Sequence, residues 1–234
     1  MAKGYRPSQS KNQGGQKADE TIIDLSEVKH QAENFFEKNK IIIFSILGGL
    51  IVLVGGYYAY EYLYKEPKQA EALEQMYQAE IMFEKDSFDL ALNNPGGGFA
   101  GFKEIAETYS AAPAGNLAKY YAGMCNLYLG NFEEAKTYFE DYKADGEMMN
   151  ILKAGALGDT YAQLKDPASA ISHYEKACKS DNEFLTAVYL KKLAILKEAQ
   201  GDLAGALEAY KTLQKKYPNS PDAQGIEKYI IALE

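Results

Sequence analysis

Gly130-Asn131-Phe132-Glu133-Glu134-Ala135 leads four residues on into Phe139. The same arrangement returns twice. Asp166-Pro167-Ala168-Ser169-Ala170 leads into Tyr174 and Ala177, and Gly201-Asp202-Leu203-Ala204-Gly205-Ala206 leads into Tyr210, Leu213 and Pro218. Ala135, Ala170 and Ala206 are 35 and 36 residues apart, and each has an aromatic four residues later. Gly123, Gly158 and Ala194 each stand twelve residues before the alanine, inside about fifteen residues of helical period. A fixed period of this length is the mark of stacked helical hairpins. Small residues let the two helices of a hairpin approach closely, and the aromatic fills the gap to the next hairpin. Gly supplies the positive φ of the turn, and Asn or Asp caps the helix that follows.

Upstream, a degenerate unit is expected. Lys68–Lys85 has Leu73, Met76, Tyr77, Ile81 and Met82 in helical period. Asn93-Asn94-Pro95-Gly96-Gly97-Gly98 then breaks the chain before a second helix over Phe99–Tyr109, whose Phe102, Ile105 and Tyr109 match the spacing of Tyr210, Leu213 and Tyr217. No Lys-Ser or Lys-Thr follows the three glycines, so a flexible connection is expected there rather than a phosphate loop. Downstream, Ile226, Tyr229, Ile230 and Leu233 offer a capping helix.

Further toward the N-terminus lies Ile41–Tyr60, IIIFSILGGLIVLVGGYYAY, 20 consecutive residues without a charge. As a helix it is about 30 Å long, the thickness of a bilayer's hydrocarbon core. Lys38, Lys40 and Glu61 bound it, and Tyr57, Tyr58, Tyr60, Tyr62 and Tyr64 suit the headgroup region. It begins late for a secretory leader and no small-residue cleavage site follows, so the anchor is expected to be retained. Lys29, Lys38 and Lys40 on one side against Lys65 and Lys68 on the other place the N-terminus inside. One face of the span carries Ser45, Gly48, Val52, Gly55 and Ala59, a stripe suited to packing against a partner's membrane helix, though glycine is common in spans generally.

Met1–Glu20 has almost nothing to bury and is expected to be disordered. From Thr21 a helical period sets in (Ile22, Leu25, Val28, Ala32, Phe35), read as an amphipathic helix on the inner membrane surface before the chain turns in at Asn39; a short helix without membrane contact is the alternative. The organisation is thus a tail over 1–40, a transmembrane helix over 41–60 and an all-α repeat domain over 61–234.

Seven of the 25 bases and six of the 33 acids precede the span, leaving 18 bases and 27 acids after it. That balance argues against nucleic acid, whose phosphates need a basic face. With two histidines, on opposite sides of the span, no zinc-ligand spacing, Ser-His-Asp set or nucleotide loop can be assembled, so neither an enzyme nor a cofactor is expected. Cys125 and Cys178 are expected to be buried free thiols.

Over about Asn116–Pro218 the repeats resemble the tetratricopeptide repeat, a helix–turn–helix unit of about 34 residues, although the family's large aromatic early in the first helix is missing. The resemblance implies a concave binding groove lined by the first helix of each hairpin. In the first repeat it takes Leu117, Tyr120, Met124, Leu127 and Tyr128, and in the second Leu152, Gly155, Asp159, Ala162 and Gln163. The third supplies Val188, Lys191, Ile195, Glu198 and Ala199. Chaperone-docking members grip a terminal carboxylate with Lys and Asn where Tyr120 and Met124 stand here, so that activity is not implied. An apolar groove suits a hydrophobic helix or peptide; the other reading has the Met and Tyr residues packing on the chain's own Lys68–Lys85 helix.

Glu33-Asn34-Phe35-Phe36-Glu37-Lys38-Asn39-Lys40 directly before a single span, with degenerate repeats beyond, is similar to the YfgM family of ancillary SecYEG translocon subunits, most closely over about Glu27–Tyr64. That resemblance implies a bacterial inner-membrane protein with a cytoplasmic N-terminus and a periplasmic repeat domain. Its implied partners are SecYEG and the membrane-anchored chaperone PpiD. A scaffold for envelope or cell-division assemblies and a cytosolic-facing mitochondrial import receptor are built from the same parts.

Overall fold

The computed structural model describes residues 25–180 and 182–234. The tail over Met1–Glu20 and the start of the helical period at Thr21–Asp24 lie outside the described residues. The chain divides into two compact units, 1–57 and 58–234.

In the first unit the dominant element is α1, Leu25–Tyr60. It runs through Asn39 without a break, so the turn expected there is not found. The Asn39 side-chain amide donates to the Phe35 carbonyl one turn back, at 2.9 Å, and the residue sits inside the helix. No residue of the apolar run is buried, and Ile41 is 77%, Val52 72% and Leu53 76% accessible.

A π-helical turn, Glu61–Lys65, follows and is tied by the Lys65–Glu61 ion pair at 2.9 Å. The second unit is a stack of antiparallel helical hairpins. α2 (Glu66–Glu84), α3 (Phe88–Asn93) and α4 (Phe102–Thr108) come first. Three hairpins follow: α5 (Pro113–Leu129) with α6 (Phe132–Asp141), α7 (Gly146–Gln163) with α8 (Pro167–Ala177), and α9 (Leu185–Ala199) with α10 (Leu203–Lys216). After a 3-10 turn at Pro221–Ala223, the short α11 (Glu227–Leu233) sets Ile230 and the preceding Ile226 against Tyr210 and Leu213 of α10, the expected cap.

The three repeat turns share one hydrogen-bond pattern. The amides of Asn131, Asp166 and Asp202 donate to the carbonyls of Asn126, Tyr161 and Lys197 at 2.8, 3.0 and 3.0 Å, the six-to-one closure of a Schellman end. The residue before each amide is left-handed: Gly130 (φ 83°), Lys165 (φ 63°) and Gly201 (φ 81°). The middle turn thus forces a lysine where its neighbours have glycine. Asp166 and Asp202 cap their helices, accepting from the amides of Ser169 (3.1 Å) and Gly205 (2.9 Å). Asn131 does not act as the expected cap; its side-chain amide donates to Asn126 Oδ1.

The small residues do what their spacing implied, and the aromatic does more. A Cβ on Gly123 would stand 2.7 Å from the Phe139 ring, and one on Gly158 2.5 Å from the Tyr174 ring. The aromatic therefore fills the space opened within its own hairpin. Phe139 also reaches Ala156 and Leu157 of α7 in the next one.

The upstream unit obeys the same rules with an interruption. Asp86 takes the left-handed position (φ 56°), and the Ser87 amide closes on the Met82 carbonyl at 2.9 Å. Ala79 and Ala91, twelve residues apart, are fully buried. Phe102 follows Ala91 by eleven residues instead of four, so seven extra residues split the second helix into α3 and α4. The expected single helix over Phe99–Tyr109 accordingly begins at Phe102. The inserted loop is pinned to α2 where the Ala100 amide donates to Gln75 Oε1 at 2.9 Å.

Candidate functional site

The groove face of α5 splits between two roles. Leu117 packs into the first core cluster, with Ala72, Met76 and Ile105. Tyr120, Met124 and Leu127 are half-buried against Phe139, Ala156 and Leu157, so they turn toward the next hairpin and not toward α2. Burial, with the neighbouring Tyr128 and Tyr142 adding to it, pushes the Tyr120 hydroxyl up to about 12. Packing on the chain's own upstream helices falls to neighbours instead: Tyr121 meets Phe83 edge-on at 5.3 Å, and Tyr128 stacks on Phe88 at 4.4 Å. Tyr128 nonetheless keeps 57% of its surface accessible, and on the later repeats Gln163 and Ile195 are exposed too.

Leu127, Tyr128, Asp159 and Gln163 line one open cavity of about 440 Å³, together with Phe132, Tyr174 and Lys192. Lys191 is engaged elsewhere, with Asp222 at 3.2 Å. The two ends of the groove are thus separated in role: the α5 end is largely packed, while the α5–α7 junction is open.

Asp159 is the centre of that junction. Its carboxylate accepts from Lys192 Nζ of α9 with both oxygens at 2.7 Å, and from the Tyr174 hydroxyl of α8 at 2.7 Å. One side chain on α7 therefore ties three helices. Tyr174 reaches it only because Gly158 leaves room for the ring. Burial, then the adjacent carboxylate, pushes the Tyr174 hydroxyl far above the ordinary phenol range. Tyr189 of α9 lies across Gly155, where a Cβ would stand 1.9 Å from its ring, and stacks near Tyr174 at 6.3 Å. Lys192 Nζ sits 5.6 Å from the Tyr189 ring centroid, within cation–π range.

Tyr174, Tyr189 and Lys192 were not among the groove residues the repeat positions name. Gly155 and Gly158 were the available signal for the two tyrosines, because adjacent bare positions on one helix invite rings from two neighbours. Lys192 carries no such signal.

Ser45, Gly48, Val52, Gly55 and Ala59 share a face of α1. A Cβ on Gly48 or Gly55 would meet nothing within 4 Å. By length and composition the helical stretch Lys29–Glu84 is able to cross a membrane: it holds an 18-residue window of mean hydropathy 2.2, none of it buried. Cys125 is buried and Cys178 half-buried, both free, and burial pushes each thiol up to about 12.

The sequence model of the tetratricopeptide repeat family matches residues 117–145 and 192–220, in the α5–α6 and α9–α10 hairpins. The chain carries tetratricopeptide repeats, and its fold is an all-α solenoid of that type, a kind of repeat that points to protein–protein interaction. No curated protein matches the chain in sequence at a significant level.

Proposed function

We propose that the chain is a single-pass membrane adaptor, non-enzymatic, that holds a protein partner in its repeat groove. The observation that carries this reading is an unburied apolar helix, of mean hydropathy 2.2 over 18 residues, in a chain whose second unit carries tetratricopeptide repeats. Exposed apolar surface of that extent is stable in lipid and costly in water. The groove residues a partner meets are Tyr128 and Gln163 at the Asp159 cavity and the exposed Ile195 on α9, with Leu117, Tyr120, Met124, Leu127 and Lys191 holding its shape.

The finer reading is a YfgM-type ancillary subunit of the SecYEG translocon in the bacterial inner membrane. In it the N-terminus is cytoplasmic, the repeat unit periplasmic, and PpiD a second partner. The Phe35-Phe36 pair and Lys38 and Lys40 before the span support it, as does the lysine balance across the span. The small-residue face of α1 would dock on a membrane helix of the translocon.

Reporter fusions after Glu234 test the topology; a cytosolic C-terminus refutes the periplasmic placement. Co-purification in mild detergent then tests the partner. Recovery of SecYEG and PpiD supports the translocon reading, and their absence beside envelope or division proteins replaces it with the scaffold. Gly48→Leu with Gly55→Leu should insert normally and lose the translocon; co-purification at the wild-type level removes the stripe as the contact.

A further inference from the structure

The repeat unit has a second concave site, on the other side of α7. At 3.6 residues per turn, Ile151, Ala154 and Leu157 lie roughly 130° around this helix from the groove positions. With residues of α8 and the segment after it they enclose a cavity of about 640 Å³. Its floor is apolar and its rim is basic, with Lys153, Lys176 and Lys179 around the opening. Among the described residues one carboxylate, Glu147, stands on the rim; it accepts from the Ser180 hydroxyl and keeps its charge against three lysines.

The lysines are differently employed. Lys153 Nζ donates to the carbonyls of Glu140 and Tyr142 at the end of α6 and is fixed in place. Among the described residues no carboxylate pairs with Lys176 or Lys179; the neighbouring Glu175 is taken by Lys197 at 2.9 Å. Two lysines without an ion pair among the described residues, beside a third, are conspicuous where 27 acids outnumber 18 bases.

His173 completes the wall. Its ring stacks on Tyr161 at 5.2 Å, and its Nδ1 is buried without a hydrogen-bond partner. A sealed, unpaired N–H costs more than a sealed acceptor, which puts the proton on Nε2 and leaves that nitrogen as a donor.

We propose that this cavity binds an acidic peptide segment of a partner protein. An apolar side chain sits on Ile151, Ala154 and Leu157, and flanking carboxylates meet Lys176, Lys179 and His173. The apolar floor and the volume, far larger than a phosphate requires, select a peptide over a bare anion. The site is independent of the groove, so the solenoid can hold two partners at once.

The test uses the full chain in mild non-ionic detergent and a fluorescein-labelled decapeptide of alternating Glu and Leu, read by anisotropy. Saturable binding is expected, weakening as salt is raised. It should fall about tenfold, ~1.4 kcal/mol, in Lys176→Glu with Lys179→Glu. Lys176→Gln with Lys179→Gln should lose less, and both variants should melt as wild type because the side chains are exposed. Tyr128→Asp with Ile195→Asp, which alters the groove, should bind the peptide normally. Equal binding by the lysine variants, loss in the groove variant, or equal capture of a Lys–Leu decapeptide would overturn the proposal. So would full displacement of the peptide by millimolar inorganic phosphate or by phosphatidylglycerol in mixed micelles.

Discussion

Asp159 was read from the repeat positions as a partner-binding residue, and its geometry instead gives it a large internal task. Replacing it with Ala removes two kinds of interaction. The Tyr174 hydroxyl, on a ring only 4% exposed, loses its acceptor and is left unpaired, which costs about 1–3 kcal/mol. The Lys192 ion pair is about a third exposed (side chains 40% and 29% accessible), so screening holds its worth to about 0.2–1 kcal/mol. The sum is about 1–4 kcal/mol, or roughly 2–16 °C in Tm for a unit of this size. Asp159→Asn keeps an acceptor for Tyr174 and should cost less than half as much. The asymmetry of hydrogen-bond loss supplies a sharper check. Adding Tyr174→Phe to Asp159→Ala deletes the stranded hydroxyl and should recover about 1 kcal/mol. Thermal melts of the full chain in mild detergent, followed by far-UV circular dichroism, read all four proteins. A wild-type melt for Asp159→Ala, or no recovery in the double variant, refutes the assignment of Asp159 as the tie between α7, α8 and α9.

Lys165→Gly should raise stability by about 0.5–1 kcal/mol, because glycine holds the left-handed position in the flanking turns; an unchanged or lower Tm refutes this. Gly155→Ala should destabilise by about 1–3 kcal/mol through overpacking against Tyr189, measured by urea midpoint, and a smaller ring-position residue in Tyr189→Leu should relieve part of it. Tyr120, Tyr174 and Tyr189 all have hydroxyl pKa values raised by burial, so the unfolded chain ionises first: stability is complete below about pH 10 and is lost as the pH climbs beyond it, which melts between pH 8 and 12 will show. By the same cause Cys125 and Cys178 should resist iodoacetamide at pH 8 until the chain is unfolded, since the thiolate is the reactive form. Tyr128→Asp with Ile195→Asp should reduce partner capture in co-purification with a change in Tm of at most a few degrees, both side chains being about half exposed.

The repeats were legible because their requirements are local and tied to residue type. A small residue twelve positions before an alanine, and an aromatic four after it, describe one helix crossing another, and that spacing survives whatever the neighbours do. In the upstream hairpin the same logic found the two outer helices and missed the one between them, for a local reason. Seven inserted residues around Asn94-Pro95 displaced Phe102 from its place, and Ala79, Asp86, Ser87 and Ala91 then carry no obvious repeat when read alone. The middle turn was legible from Asp166-Pro167, but the left-handed Lys165 before it was not, since only glycine announces that conformation in a sequence.

The groove was legible in outline and not in use, because position on a helix fixes which way a residue points but not what arrives to meet it. Tyr120 and Met124 occupy groove positions, and the aromatic Phe139 with Ala156 and Leu157 has come up beneath them. Asp159 points into the groove as its position requires, and Tyr174 and Lys192 have already claimed its oxygens. The cavity beyond Ile151, Ala154 and Leu157 escaped the sequence altogether, since its wall draws on α7, α8 and the segment after α8, and Lys153 stands on a different helix from Lys176. What a solenoid offers a partner is therefore set by pairs of helices, while its sequence reports helices one at a time. A charge such as Lys176 becomes informative only once the neighbouring Glu175 is seen to be paired with Lys197.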